Sequence, residues 1–138
     1  MSANLQFHHM GVACRSIERE IRNFTALGYV QESRIYTDAI QKIDCCFMHG
    51  PGPRIELIAP NHDESPVWPW VRQGVKYYHQ AFETLDLDSA IAQFAAARGK
   101  LVSPPVPAAA FDGRDIAFVM LPGLILIELI EANTKRNT

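Results

Sequence analysis

The pentapeptide Arg54-Ile55-Glu56-Leu57-Ile58 matches Leu126-Ile127-Glu128-Leu129-Ile130, 72 residues later, at its last four positions. An earlier match, at an offset of 70, places Phe7-His8-His9-Met10-Gly11-Val12 on Tyr77-Tyr78-His79-Gln80-Ala81-Phe82. Two matches in the same order and with nearly the same spacing indicate that one structural unit is encoded twice. The sequence therefore predicts an internally duplicated fold.

Each copy predicts the element order βαβββ, which places the chain in the α+β class. A strand at about residues 5–13, or 78–84 in the second copy, precedes a helix whose apolar residues recur at three- and four-residue spacing. Ser16 and Asp86 occupy the equivalent N-cap positions, and Gly28 and Gly99 are expected to end the helices in a left-handed turn. Three more strands are predicted in each copy, at 29–36, 42–49 and 54–59 and at 100–103, 115–121 and 124–131.

We expect one domain over residues 1–138, built of two modules at 5–60 and 77–132. A connector at 61–76 joins them, with a short helix predicted over 66–73 that starts at Ser65-Pro66 and ends at Gly74. A chain of 138 residues can bury a core without disulfide bonds.

Composition and charge exclude several classes of protein. Apolar residues make up 48% of the chain and charged residues 20%, which is an ordinary globular balance. A net charge of −2 offers no basic surface for nucleic acid. Three cysteines, two of them adjacent, are a poor disulfide framework and favour a reducing compartment. Without a signal-like start or a membrane-spanning run, we expect a cytoplasmic protein with no membrane partner.

The repeat provides each half with one histidine and one glutamate: His9 with Glu56, and His79 with Glu128. Both glutamates lie inside apolar strands, where an isolated carboxylate is costly. Two converging carboxylates would also repel one another unless a cation lay between them. Two imidazoles and two carboxylates suit a divalent zinc, nickel, cobalt, manganese or iron ion and leave ligand positions open.

The two glutamates and the histidine of the first strand also have simpler interpretations that involve no metal. Either glutamate could pair with Arg54 or Arg114, or point to solvent from an edge strand. His8 competes with His9 for the first position, and choosing the neighbour reverses the face of the strand. Alignment with His79 favours His9.

These motifs resemble those of the vicinal oxygen chelate superfamily, which includes glyoxalase I, methylmalonyl-CoA epimerase, extradiol dioxygenases and bleomycin-resistance proteins. The resemblance covers about residues 5–132 and is greatest to the epimerase-like and glyoxalase branch. It is carried by four runs in order: His9-Met10-Gly11-Val12-Ala13-Cys14, Ile55-Glu56-Leu57-Ile58-Ala59-Pro60, Tyr78-His79-Gln80-Ala81-Phe82-Glu83 and Leu126-Ile127-Glu128-Leu129-Ile130-Glu131.

The resemblance implies two βαβββ modules whose sheets form a half-open barrel around one metal ion. His9, Glu56, His79 and Glu128 would be its ligands, and a ligand carboxylate, Glu128 in preference to Glu56, would be the catalytic base. The implied reaction is that of an isomerase, epimerase or lyase: proton transfer next to a carbonyl of a small 2-oxo or acyl-thioester substrate. A homodimer is also implied.

One departure from the epimerase pattern concerns the catalytic base, and another is Leu121-Pro122, where a His-Pro pair is usual before the last strand. The epimerases are expected to use a second, non-ligand glutamate where this chain reads Thr37-Asp38-Ala39-Ile40-Gln41, and only Asp38 could replace it. Two further functions therefore stay open: a ligand-binding or resistance protein without chemistry, and a ring-cleaving dioxygenase, against which a fourth protein ligand argues. Lys76, Arg72 and Arg114 could hold a phosphate or carboxylate, or could be solvated surface charges.

Overall fold

The computed structural model describes residues 4–132 and contains both predicted kinds of element. The helices are α1 (Ile17–Ala26), α2 (Trp68–Gln73) and α3 (Leu87–Ala96), with a 3-10 turn at Ala109–Phe111. The strands are β1 (Gln6–Ala13), β2 (Val30–Gln31), β3 (Tyr36–Asp38), β4 (Ile43–His49), β5 (Ile55–Pro60), β6 (Tyr77–Thr84), β7 (Lys100–Pro107), β8 (Asp115–Leu121) and β9 (Ile125–Glu131). The predicted α+β class is confirmed.

The chain divides into two compact units. The first unit is His9–Tyr78, and the second consists of the described residues before His9 and after Tyr78. Strands of the first unit pair in the order β2-β4-β5-β1, with β3 also on β4, and those of the second in the order β6-β9-β8-β7. In each unit the pair of strands that carries the His and the Glu is parallel, β1 with β5 and β6 with β9. The module boundaries 5–60 and 77–132 remain a prediction.

Two predicted strands have different extents in the structure. The strand expected at 29–36 is interrupted, because Ser33 turns its hydroxyl to β4 and accepts a hydrogen bond from the amide of Phe47 at 3.0 Å. The result is two short strands, β2 and β3, on different parts of β4. The strand expected at 100–103 continues to Pro107, with register shifts around Ser103. Prolines are tolerated there because β7 is the last strand in the order of its unit.

The predicted helix N-caps are confirmed, whereas one helix end is not. Ser16 Oγ accepts from the amide of Arg19 at 3.2 Å, and Asp86 Oδ1 accepts from the amide of Ser89 at 3.0 Å. Gly28 has the expected positive φ of 99° after α1, but after α3 the left-handed residue is Arg98, with φ of 69°. Gly99 serves another purpose, since a Cβ there would lie 2.8 Å from the carbonyl oxygen of Phe94.

The connector helix starts later than predicted. Its first residue is Trp68 rather than residue 66, and Ser65 instead caps the preceding turn, where its Oγ accepts from the amide of Val67 at 3.3 Å. Gly74 ends the helix in the left-handed conformation, as predicted, with φ of 74°. Val67 is buried and Trp68 is half-buried. No helix within residues 4–132 has both the length and the apolar character that crossing a bilayer requires.

Each unit packs one helix against its own sheet. The first core places Ile17 and Phe24 of α1 on β4 and β5, together with Cys14 and Cys46. The second places Leu87 and Ala90 of α3 on β8 and β9. The three cysteines are buried free thiols, as predicted. Burial raises the pKa of the Cys14 thiol from 9.0 to about 12, with the Glu20 carboxylate adding to the shift.

Candidate functional site

The first unit holds a buried histidine–glutamate pair. Glu56 on β5 lies opposite Gly11 on β1, and His9 is two residues before Gly11, so all three share one face of the sheet. Because Gly11 has no side chain, the imidazole of His9 can reach the carboxylate of the neighbouring strand. His9 Nε2 lies 2.8 Å from Glu56 Oε1, and both side chains are almost wholly buried.

The second unit repeats this arrangement. Glu128 on β9 lies opposite Ala81 on β6, and His79 is again two residues before the small residue. His79 Nε2 lies 3.1 Å from Glu128 Oε1, and both residues are 3% exposed. The two pairs therefore have the same strand positions, the same atoms in contact and the same burial.

A phenylalanine accompanies each pair, and sequence reasoning did not single it out. Phe47 on β4 lies opposite Glu56, and Phe118 on β8 lies opposite Glu128. Each ring meets the adjacent imidazole edge-on: the His9–Phe47 centroids are 5.4 Å apart at 77°, and the His79–Phe118 centroids 5.2 Å apart at 85°. Phe47 and Phe118 are offset by 71 residues, between the two offsets of the repeat, which is the signal that could have found them.

The alternative partners have other contacts. Arg54 Nη2 lies 3.1 Å from Glu32 Oε2, and Arg114 Nη1 lies 3.0 Å from Glu83 Oε2. On β1 the histidine beside Glu56 is His9; His8 is half-buried.

Asp38, the only candidate for a second base, is buried at the end of β3. Its Oδ1 accepts from the backbone amide of Gln41 at 2.9 Å, and its Oδ2 from the Gln41 side-chain amide at 2.9 Å. Both oxygens thus accept hydrogen bonds from one residue that follows β3, an arrangement that stabilises the turn between β3 and β4. This contact gives Asp38 a structural role.

The geometry of each pair fits two chemical situations. A nitrogen and an oxygen about 3 Å apart can share a hydrogen bond, and they can also be adjacent ligands of one ion, since bonds of about 2.1 Å at right angles separate ligand atoms by about 3 Å. His9, Glu56, His79 and Glu128 are buried and are of the residue types that bind divalent metals. A buried carboxylate needs a cation or strong donors nearby, and an imidazolium or a metal ion would meet that need. The residues present therefore fit a divalent metal.

Solved structures with the same fold include proteins of different descriptions. A hypothetical protein from Bacillus halodurans C-125 superposes with a TM-score of 0.81 at 20% identity, covering 98% of this chain and 99% of that one. A methylmalonyl-CoA epimerase from Mycobacterium tuberculosis gives 0.76 at 23% identity, covering 94% and 89%. A variant methylmalonyl-CoA epimerase from Streptomyces coelicolor, in complex with 2-nitronate-propionyl-CoA, gives 0.77 at 20% identity, covering 94% and 98%.

The sequence itself identifies the family. A search of curated proteins found no significant match to the chain. Residues 8–118, most of the chain, match the family model described as Glyoxalase/Bleomycin resistance protein/Dioxygenase superfamily. This match confirms the resemblance drawn from the four sequence runs. The chain belongs to the glyoxalase/bleomycin resistance protein/dioxygenase superfamily.

Proposed function

We propose that His9, Glu56, His79 and Glu128 together bind one divalent metal ion, and that the protein catalyses proton transfer next to a carbonyl. The supporting observation is the repetition of a buried His–Glu pair at equivalent strand positions, with Nε2–Oε1 distances of 2.8 and 3.1 Å. A single buried pair is common as a structural contact. Two pairs that agree in atoms, burial and neighbouring phenylalanine favour a shared chemical role.

The protein residues have distinct tasks in this proposal. A metal ion held there would polarise a substrate carbonyl and stabilise the enolate that forms when the adjacent proton leaves. Glu128 accepts that proton on its carboxylate and returns it, while Glu56 stays a ligand. Phe47 and Phe118 hold the imidazoles of His9 and His79 by edge-on contact, which fixes the direction of each Nε2. The burial of both pairs strengthens the electrostatic contacts on which the proton transfer depends.

The two carboxylates favour proton transfer over ring cleavage. Ring-cleaving non-haem iron sites are built on two histidines and one carboxylate, with positions open for oxygen and substrate. A second carboxylate suits an enzyme in which one carboxylate remains a ligand and the other moves a proton. We propose small 2-oxo acids and acyl-thioesters as substrates; the similar epimerases, one in complex with a CoA compound, support testing thioesters first. The homodimer stays a prediction.

Elemental analysis tests the metal site. We expect close to one divalent ion per chain in the wild type and clear loss in His79→Ala and Glu128→Ala. Glu20→Gln is the matched control, because Glu20 is also buried but pairs with Lys76 Nζ at 2.9 Å. Unchanged metal content in both site variants would refute the assigned ligands.

Exchange of a substrate α-hydrogen in heavy water tests the reaction. The metal-loaded wild type should exchange the α-hydrogen of at least one compound in a panel of 2-oxo acids and acyl-thioesters. Glu128→Gln should slow this exchange by about 10²–10⁴-fold, the usual contribution of a general base. Normal metal content without exchange would favour the ligand-binding function. Cleavage of a catechol by the iron-loaded protein would favour the dioxygenase.

A further inference from the structure

Two guanidinium groups lie over the ring of Trp68, the first residue of α2. The Arg15 guanidinium carbon lies 5.6 Å from the Trp68 ring centroid, and that of Arg72 lies 5.0 Å from it. Both distances are within the range of a cation–π contact. Arg15 and Arg72 are exposed, whereas Trp68 is half-buried. Two cations from different segments, the residues between β1 and α1 and the last turn of α2, thus contact one ring.

The ring itself is fixed in place. The indole N–H of Trp68 donates to the carbonyl oxygen of His62 at 2.9 Å. The next residue, Pro69, restricts the backbone in the first turn of α2, and the adjoining Val67 is buried. Arg15 and Arg72 therefore have an anchored platform, on which their flexible side chains lose part of their freedom before any ligand arrives.

Arg15, which the sequence analysis did not single out, and Arg72 differ from the two other cations that were suggested there as anion sites. Lys76 pairs with Glu20 at 2.9 Å, and Arg114 pairs with Glu83 at 3.0 Å. Within residues 4–132, Arg15 and Arg72 make their side-chain contacts with the Trp68 ring and have no carboxylate partner. Two like charges at one ring repel each other, and an anion bound by both would remove that cost.

We infer that Arg15, Trp68 and Arg72 form a binding site for a phosphate-bearing ligand, made of residues that take no part in the His–Glu pairs and that have no role in the proposed reaction. Each guanidinium fork can donate two parallel hydrogen bonds to one anionic group. A diphosphate presents oxygens on two phosphorus atoms and can accept from both forks. A diphosphate also has more negative charge than a dicarboxylate of similar size, which favours diphosphate at two guanidinium groups.

Titration of the full-length protein with inorganic pyrophosphate, at constant ionic strength, tests the site. Saturable binding should appear by calorimetry and as a change in tryptophan fluorescence, and malonate should bind more weakly. Arg15→Ala and Arg72→Ala should each weaken pyrophosphate binding by about tenfold or more, the loss expected for a charge-assisted hydrogen bond. Arg15→Lys and Arg72→Lys should each retain part of the affinity, because the substitution keeps the charge but removes the guanidinium fork.

Arg34→Ala is the matched control. The Arg34 guanidinium also lies over an aromatic ring, 4.3 Å from the Tyr36 centroid, but among the described residues no second arginine lies over that ring. Its removal should leave pyrophosphate affinity unchanged. Equal weakening by Arg34→Ala, tighter binding of malonate, or loss of binding in His79→Ala but not in the arginine variants would each overturn the inference. Circular dichroism of every variant confirms that it is folded.

Discussion

Replacing Glu128 by glutamine tests whether its pair is a metal ligand set or a structural ion pair. The substitution keeps the shape of the side chain and removes its charge. With metal present at 100 times its Kd, the bound ion should stabilise the wild type by about 2.7 kcal/mol. At about 3 °C per kcal/mol for a chain of this size, that is a rise in Tm of about 8 °C.

The variant should lose nearly all of this increment. Removing the charge of one partner in a buried charge pair costs about 2–5 kcal/mol, and a bound ion with the buried Glu128 carboxylate would be such a pair. A loss of about 2.7 kcal/mol weakens metal binding about 100-fold. The same metal concentration then equals the Kd and stabilises by only about 0.4 kcal/mol, a shift of about 1 °C.

Differential scanning calorimetry of chelator-treated protein, with each divalent metal added in turn, measures both shifts. Glu56→Gln should behave like Glu128→Gln, because the two pairs are equivalent, and Glu20→Gln should keep the full metal-dependent rise. In a structural ion pair, removing one partner would cost about 3–5 kcal/mol whether or not metal is present. A wild-type Tm that no metal changes, with a fall in the variant that is the same with and without metal, would refute the metal assignment.

Three further predictions concern the supporting structure. The pKa of the Cys14 thiol is about 12 in the folded state and 9.0 ordinarily, so as pH rises this thiol ionises in the unfolded chain before it does in the folded protein. The free energy of unfolding is therefore unaffected by this thiol below pH 9.0 and decreases as pH rises above it. Urea unfolding between about pH 8 and pH 10 should show a smaller loss in Cys14→Ala, and an identical loss would contradict this. Gly50→Ala should destabilise the fold by about 1–3 kcal/mol in urea unfolding, because a Cβ there would lie 2.8 Å from the Tyr29 Cα. Gly52→Ala is the control, since the nearest atom to its Cβ would be the Tyr29 hydroxyl oxygen at the end of a side chain. A smaller cost for Gly50→Ala than for Gly52→Ala would contradict this prediction. Phe118→Leu should weaken metal binding about 2- to 12-fold in equilibrium dialysis, because it removes an aromatic contact with His79 worth about 0.5–1.5 kcal/mol. Unchanged affinity would show that the ring does not orient His79.

The sequence repeat allowed prediction of those structural features that depend on residues close together in the chain. The matched runs correctly predicted that the His and Glu residues lie on strands. Both N-caps could also be predicted, because Ser16 and Asp86 accept hydrogen bonds from amides in the first turn of the helix that follows each of them. The interruption at Ser33 could not be predicted, because it depends on a hydrogen bond to Phe47, fourteen residues away along the chain. The left-handed residue after α3 was misplaced for a related reason: Gly99 is required by its close approach to Phe94 and not by its own φ.

The pairing within each unit explains why the duplication matters for chemistry. Each parallel pair of strands places one imidazole beside one carboxylate, and the small residue opposite the glutamate, Gly11 or Ala81, leaves room for the ring. One unit alone therefore offers one nitrogen and one oxygen donor, too few to hold a divalent ion against water. Under the proposed function, two copies supply four donors and two carboxylates, which permits one glutamate to remain a ligand while the other moves a proton.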